Sequence, residues 1–219
     1  MPIFDSITSI PKKIGKKIST FVNKIKRVFG LFAPNPDTRS VVILGMKAAG
    51  KTTLWYNLMK RTDGKLNTQV EKIDSFYITA GGRTVKVEST KDIGGSDDFI
   101  KQGLWDKLIE KDSFVYFLID LNDVDKKEIR KRLYKIKDIK TKKGIVEDRF
   151  GIKIVGTHYD MYSEGKSVET AKWDLLKKLD YKETDYWSDN ILIVNLLETK
   201  DVDKIKDEIV NPKFTSIVR

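Results

Sequence analysis

Short apolar runs alternate with helical patterns from residue 39 onward. The apolar or β-rich runs cover residues 41–44, 73–79, 84–89, 114–120, 152–157 and 191–196. Between them, apolar residues recur every three or four positions at about 50–60, 99–110, 124–140, 167–179 and 201–209. Such alternation is typical of an α/β domain in which helices cover both faces of a mostly parallel sheet. The six runs predict six strands.

Two of these runs, 73–79 and 84–89, are separated only by Ala-Gly-Gly-Arg. A Gly-Gly pair between β-rich runs is typical of a hairpin turn. Parallel neighbours need a longer crossover, so this hairpin predicts one antiparallel strand at the edge of the sheet. Ligands of open α/β sheets bind at the carboxyl ends of the parallel strands, where we look for candidate chemistry.

The first 33 residues carry a different pattern, with apolar side chains on one side of a helix and basic side chains on the other. At 100° per residue, the apolar positions from Ile3 to Phe32 fall within an arc of roughly 120°. Seven basic residues lie outside it: Lys12, Lys13, Lys16, Lys17, Lys24, Lys26 and Arg27. The sequence Ala-Pro-Asn-Pro-Asp at 33–37 cannot continue the helix. We predict an amphipathic helix at 1–33, a linker at 34–38, a domain at 39–211 and a C-terminal tail at 212–219.

The net charge of +10 belongs mostly to this amino-terminal segment. Its seven basic residues oppose Asp5 alone, which accounts for +6 of the +10. Such a helix is typical of one that lies on an anionic membrane, which predicts membrane binding through residues 3–32. Two alternatives stay open, namely packing on the protein's own domain or a partner helix, and a cleaved targeting peptide. Pro2 excludes N-myristoylation, so anchoring by the helix alone would be reversible.

Composition excludes several kinds of site. The chain of 219 residues has no cysteine, which excludes disulfides, thiolate metal sites and a cysteine nucleophile. His158 is the single histidine, which excludes a metal site built from several histidines. The longest apolar run, at 114–119, is too short to span a bilayer.

The run at 41–44 leads into Gly-Met-Lys-Ala-Ala-Gly-Lys-Thr, residues 45–52. This matches the phosphate-loop pattern G-x-x-x-x-G-K-[ST] in the required place between a strand and a helix. Gly45 and Gly50 allow the tight path that turns backbone amides inward, and the helix N-terminus adds positive potential. Lys51 would reach the outer phosphates, and the Thr52 hydroxyl would bind magnesium.

Two further strand ends carry carboxylates. Asp92 begins Asp-Ile-Gly-Gly after the second hairpin strand, where it could hold magnesium through water while a Gly-Gly amide meets the terminal phosphate. Asp160 follows the strand at 152–157 and could accept hydrogen bonds from N1 and N2 of guanine, donors that adenine lacks. The alternative for Asp160 is a simple cap of a turn or helix.

With these residues, the domain resembles a small GTPase of the ADP-ribosylation factor (Arf) family. Residues 45–54 are the most similar stretch, 92–95 look like the family's second switch, and the likeness covers about 39–209. The resemblance implies GTP or GDP with Mg²⁺, and a hairpin that slides with nucleotide state and displaces the amino-terminal helix. The nucleotide contacts that it implies are Gly45, Lys47, Ala48, Ala49, Gly50, Lys51, Thr52, Thr53, Gly95, Thr157, His158, Asp160 and Leu197. For magnesium it implies Thr52, Asp92 and the first-switch threonine Thr68, with Thr62 as a rival.

Three positions depart from the family's pattern. The base motif Asn-Lys-x-Asp reads Thr-His-Tyr-Asp at 157–160, so we expect weaker guanine binding with His158 over the base. In the third base-contacting loop, at 195–197, only the backbone could serve. Ser96 replaces the glutamine that orients the attacking water, and serine is too short for that role. With Lys51 and Ser96 at the catalytic positions, we expect slow intrinsic GTP hydrolysis.

The resulting hypothesis is an Arf-like guanine-nucleotide switch on the cytoplasmic face of a membrane, with an effector that the sequence does not identify. The alternatives are a GTP-bound assembly scaffold that does not cycle, and a nucleotide-free membrane-binding module. The stretch at 125–143 is dense in Lys and Arg and is interpreted as a solvated basic helix, with lipid headgroups or nucleic acid as the alternative. No recognition motif supports nucleic acid as a partner.

Overall fold

The computed structural model describes residues 37–60, 71–94, 97–145, 151–162, 165–182 and 186–212. The chain divides into two compact units, Met1–Pro36 and Asp37–Arg219, and the described residues all belong to the second. The predicted amphipathic helix, the linker up to residue 36 and the tail beyond 212 therefore lie outside them. Within the described part of the chain, no helix is long and apolar enough to cross a membrane.

Strands and helices alternate along the domain. The strands are β1 (Thr38–Arg39), β2 (Val41–Gly45), β3 (Glu71–Ile73), β4 (Phe76–Ala80), β5 (Arg83–Val87), β6 (Thr90–Asp92), β7 (Phe114–Asp120), β8 (Ile152–Thr157) and β9 (Ile191–Ile193). The α-helices are α1 (Lys51–Met59), α2 (Asp97–Lys101), α3 (Leu104–Leu108), α4 (Lys126–Lys142), α5 (Tyr159–Tyr162), α6 (Val168–Lys178) and α7 (Thr199–Val210). A short 3-10 helix, Ser188–Asn190, precedes β9.

The strand segments form six lines. Only Ser40 separates β1, which pairs in parallel with β5, from β2, which pairs in parallel with β7. β3–β6 and β4–β5 share one antiparallel register, from Glu71 opposite Asp92 to Ala80 opposite Arg83. The order is therefore β4, β5, β1/β2, β7, β8, β9, with the β4 line alone antiparallel among the described strands. This confirms the predicted fold class, although short breaks divide three of the six lines into two segments each.

The core lies on both faces of the sheet because strand side chains alternate between them. Val42 and Leu44 of β2 belong to a cluster with residues of α3, α4 and α6. Val41 and Ile43 belong to a second cluster with residues of α1 and α7. Burial on both faces explains why the parallel strands read as continuous apolar runs.

Two predicted elements differ from the structure. A single helix at 99–110 is wrong, because Gly103 adopts a left-handed conformation with φ 67° and separates α2 from α3. The strand at 191–196 is shorter than predicted and ends at Ile193, so residues 194–198 form a loop at the same edge as the phosphate loop. The Leu196 side chain packs against the phosphate loop, since a Cβ added to Gly50 would lie 2.7 Å from Leu196 Cδ1.

Candidate nucleotide-binding site

The phosphate loop joins β2 to α1 and has the backbone of an anion site. Gly45 has φ 147°, and a Cβ there would stand 2.2 Å from the carbonyl oxygen of Leu118 on β7. The Met46 amide donates to the same carbonyl at 3.0 Å. Ala48 and Gly50 are left-handed, with φ 58° and 80°. Left-handed residues in such a turn direct successive amides into one concavity, which favours a bound anion.

Lys51, the first residue of α1, provides a buried cation beside this loop. Its side chain is almost wholly buried, and Nζ donates to the Met46 carbonyl at 2.5 Å. Burial lowers the pKa of Lys51 to about 8, Asp92 opposes that shift and Arg132 adds to it. A phosphate bound beside Nζ would favour the charged form and raise this pKa.

Thr52 and Asp92, two of the residues predicted to hold magnesium, contact each other. The Thr52 hydroxyl donates to Asp92 Oδ2 at 2.6 Å. Asp92 is 5% exposed, and burial raises the pKa of its carboxyl group against the opposing effect of Thr52 and Lys51. These hard oxygen donors fit Mg²⁺, which typically takes one or two protein ligands and completes its shell with phosphate and water. The described residues contain no group of three or more acidic or histidine side chains that could by itself hold a metal ion.

The other predicted phosphate-loop and switch residues differ in burial, and some of them lie outside the described residues. Lys47 and Ala48 are exposed, Ala49 is buried and Thr53 is half-buried. Four of the predicted switch positions lie outside the described residues: Thr62, Thr68, Gly95 and Ser96. Their roles in magnesium binding, phosphate contact and catalysis stay predictions.

Thr157, at the end of β8, contacts the phosphate loop directly. It is fully buried, and its hydroxyl lies 3.2 Å from the carbonyl of Ala49 and 3.1 Å from that of Ile119. The one hydroxyl hydrogen is shared between these acceptors. The first residue of the altered base motif thus ties β8 to both the loop and β7.

His158 and Asp160 follow at the same edge of the sheet. His158 has φ 56°, and its Nδ1 lies 3.1 Å from Asp120 Oδ2. Asp160 is exposed in the short helix α5, and the structure gives its carboxylate no partner among the described residues. An exposed carboxylate at this edge of the sheet can accept the N1 and N2 donors of guanine.

The third predicted base loop is held by its own polar groups. Leu197 is 79% exposed, and its amide donates to Asn195 Oδ1 at 3.0 Å. Asn57 of α1 donates to the Leu196 carbonyl at 2.7 Å, which attaches the loop to the helix that follows the phosphate loop. A backbone contact from Leu197 to the base stays a prediction, and in this structure it would compete with Asn195.

Two residues at the site were not predicted from the sequence. Asp120 ends β7 and pairs with His158; a carboxylate at the carboxyl end of an apolar run was a signal that could have found it. Arg132 of α4 is 5% exposed, and its guanidinium donates to Asp97 Oδ1 at 2.5 Å and to Glu128 at 2.8 Å. Nothing in the local pattern distinguishes Arg132 from its basic neighbours.

The comparisons with known proteins agree with this geometry. The family model of the ADP-ribosylation factor family matches residues 26–203, well over half of the chain. The chain belongs to the Arf family. Membership makes it a GTP-binding protein, with guanine nucleotide as the ligand of the site.

The Arf-type fold also occurs among solved structures. RocCORdC of Methanosarcina barkeri Roco2, bound to GDP, matches with a TM-score of 0.51 and 16% identity. The match covers 80% of this chain and 48% of that one, so this chain spans about half its length. At this identity the likeness shows the fold alone. The curated proteins include no match.

Proposed function

We propose that this Arf-family protein is a membrane-associated switch that binds GTP with Mg²⁺ and hydrolyses it slowly. The observation that carries the proposal is the convergence of Lys51, Thr52 and Asp92 at the end of β2. The Thr52 hydroxyl donates to the buried Asp92 carboxylate, and the buried Lys51 ammonium interacts electrostatically with Asp92, next to a loop whose amides suit an anion.

In this proposal each residue has a separate task at the phosphates. The loop amides and Lys51 bind the negative charge, and Lys51 stabilises the charge that grows on the terminal phosphate during transfer. Thr52 and Asp92 would hold Mg²⁺, which neutralises phosphate charge when bound. Asp160 would select guanine over adenine because adenine leaves its carboxylate unpaired.

Slow hydrolysis is proposed from the residues that follow Asp92. Ser96 stands at the position of the water-orienting glutamine, and Asp97 is the nearest residue that could replace it. The structure gives the Asp97 carboxylate other partners, because Arg132 lies 2.5 Å and Lys131 3.7 Å from it. A carboxylate engaged in this way is poorly placed to orient water. Asp98, the other candidate, is exposed, but a carboxylate beside the terminal phosphate is electrostatically unfavourable.

The membrane role is proposed from the amino-terminal pattern alone. Residues 3–32 combine an apolar stripe with seven basic side chains, which suits an anionic surface. In the GTP-bound state this segment would lie on the cytoplasmic face of a membrane.

The test is to measure nucleotide turnover with and without vesicles. Purified protein is loaded with GTP and Mg²⁺, and single-turnover hydrolysis is followed for the wild type, Ser96→Gln and Ser96→Ala. We expect slow hydrolysis in the wild type, acceleration by Ser96→Gln of about tenfold or more, and little change in Ser96→Ala. Fast unaided hydrolysis by the wild type would contradict the proposal.

A non-cycling scaffold is the second candidate, favoured by the pairing of Asp97 with Arg132. Cosedimentation with vesicles that contain anionic lipid separates the two. Binding that requires GTP and ends after hydrolysis supports the switch, whereas GTP that persists on the vesicle supports the scaffold. Protein that carries no nucleotide and still binds vesicles would instead be a nucleotide-free membrane module.

A further inference from the structure

The carboxylate of Asp120 is fixed at the end of β7 by contacts within the protein. Its residue pairs in register with Thr157 on β8, and adjacent strands lie about 4.8 Å apart. Oδ1 accepts from the Asn122 backbone amide at 2.9 Å and from Asn122 Nδ2 at 3.1 Å. An aspartate that accepts from the amide two residues later forms a rigid turn. Oδ2 is left to face His158.

The backbone of His158 is fixed as well. With φ 56° it is left-handed, a conformation that costs a non-glycine residue on the order of 1 kcal/mol. Its carbonyl accepts from the amides of Met161 at 3.2 Å and Tyr162 at 3.1 Å, which begins α5. Asn122 Nδ2 lies 3.5 Å from the same carbonyl. One asparagine therefore contacts both Asp120 and His158.

These contacts determine which edge of the imidazole is used. Nδ1 lies 3.1 Å from Asp120 Oδ2, and an ionised carboxylate only accepts, so Nδ1 carries the hydrogen. Nε2 has no partner among the described residues, and the side chain is 31% exposed. The ring is therefore held at its Nδ1 edge while the side chain stays partly exposed.

We propose that Asp120 is a positioning residue of the guanine site, which holds the imidazole of His158 in place to cover the base. The inference rests on the proposed guanine binding and deepens it. A flat ring held at one edge suits stacking on a purine. Asp120 thus acts on the base only through His158.

The first test reads the imidazole itself. Because His158 is the single histidine, its ¹⁵N signals need no assignment experiment, and they report which ring nitrogen carries the hydrogen. We expect the Nδ1–H form in the neutral wild-type ring and a shift toward Nε2–H in Asp120→Ala. Asp123→Ala, which removes a neighbouring exposed carboxylate, should leave the signals unchanged. An unchanged tautomer in Asp120→Ala overturns the inference.

The second test is a double-mutant cycle on GDP affinity. Dissociation constants for a fluorescent GDP analogue are measured for the wild type, Asp120→Ala, His158→Ala and the double variant. Asp120→Ala should weaken binding about tenfold, and Asp120→Asn, which keeps an acceptor, should recover most of the loss. In the His158→Ala background the effect of Asp120→Ala should disappear, because the two residues act as a unit. An equal loss in both backgrounds overturns the inference.

The two proposals fail in different ways. If the wild type binds neither GDP nor GTP, the proposed function is wrong and the base-covering role falls with it, whatever the tautomer. If the wild type binds GDP and Asp120→Ala binds it equally well, only the positioning role is wrong. Thermal unfolding of each variant confirms that it is folded. Asp120→Ser serves for both tests where Asp120→Ala does not fold, because its hydroxyl oxygen can still accept from the Asn122 amide but is too short to hold the His158 ring.

Discussion

Individual backbone positions decide whether the phosphate loop can exist. At Gly45 the approach of β7 leaves no space for a side chain, while Ala48 accepts a left-handed conformation that glycine would adopt more readily. The first is a steric requirement of the strand pairing. The second is strain of about 1 kcal/mol, concentrated where the ligand binds.

Gly45→Ala should destabilise the domain by about 3 kcal/mol or more, because its Cβ would collide with a backbone carbonyl that cannot rotate away. Gly82→Ala is the matched control, since Gly82 is also left-handed at φ 76° but has nothing within 4 Å of a Cβ. It should cost only about 1 kcal/mol. Urea unfolding measures both, and equal losses would contradict the steric account.

The lowered pKa of Lys51 leads us to expect that nucleotide affinity depends on pH. Burial lowers the pKa of Lys51 to about 8 in the free protein, and a bound phosphate raises it. Between these two pKa values binding takes up a proton, so GDP affinity should fall by up to about tenfold per pH unit above pH 8. Calorimetry in buffers of different ionisation enthalpy measures the affinity and the proton uptake at constant Mg²⁺.

The control for this profile is Lys51→Arg. Arginine stays protonated throughout the range, so the residual affinity of this variant should be independent of pH from 8 to 10. A wild-type affinity that is flat over the same range would show that Lys51 does not change its protonation on binding.

At the scale of elements, α4 is held by acidic and carbonyl groups of its neighbours. Two of its lysines pair with carboxylates outside the helix, Lys126 with Asp180 and Lys135 with Asp106. Two more pair within it, Lys131 with Glu128 and Lys142 with Asp138. Much of the positive charge at 125–143 is therefore neutralised locally. This supports a structural role for the helix over one as a surface for polyanions.

Lys140 is the strongest of these attachments. Its buried ammonium donates to the carbonyls of Glu110, Lys111 and Ser113 at 3.2, 3.0 and 2.5 Å, which joins α4 to the loop before β7. Lys140→Met should cost about 3 kcal/mol because three carbonyls lose their partner. Lys142→Met, on an exposed turn of the same helix, should cost about 0.5 kcal/mol or less. Similar losses in chemical denaturation would contradict this assignment.

The contact between α4 and α2 should slow local opening of the segment that follows the second switch. Asp97→Asn weakens the pair with Arg132 and should speed amide hydrogen exchange in residues 97–103 by about threefold to fivefold. Asp98→Asn is the control, since Asp98 is adjacent and exposed. Exchange that rises equally in both variants would mean that the charge pair does not order this segment.

The sequence predicts elements well and their contacts poorly. β7 and β8 match their predicted bounds because buried parallel strands are continuous apolar runs, and the phosphate loop follows from glycine spacing at a strand end. The contacts of Lys140 and Arg132 join residues about 30 positions apart, and each is one basic residue among many. The break at Gly103 was missed because an isolated glycine within a helical pattern is often tolerated.

For the whole molecule, the charge distribution predicts where a membrane would bind. Changing Lys12, Lys13, Lys16 and Lys17 to Gln should weaken binding to anionic vesicles by roughly three orders of magnitude, since each lysine near the surface contributes about 1 kcal/mol. The effect should shrink as salt rises.

A control with the same loss of charge changes four lysines of α4 to Gln: Lys126, Lys127, Lys135 and Lys142. Vesicle binding should change little, because three of these already pair with carboxylates. Cosedimentation of both full-length variants gives the comparison. If the α4 variant loses as much affinity as the amino-terminal one, lipid contact by 125–143 is the better account.

The short ladder between β1 and β5 has a mechanical consequence. Only Thr38 and Arg39 pair with Lys86 and Val87, whereas five residues of β2 pair with β7. The hairpin is therefore joined to β1 by a short ladder, while its own two strands share a long antiparallel register. Because side chains alternate between faces, a change of register against β1 that kept every side chain on its face would move the hairpin by two residues, about 6.6 Å. That step equals the whole length of the ladder, so such a change would replace every pairing between β1 and β5.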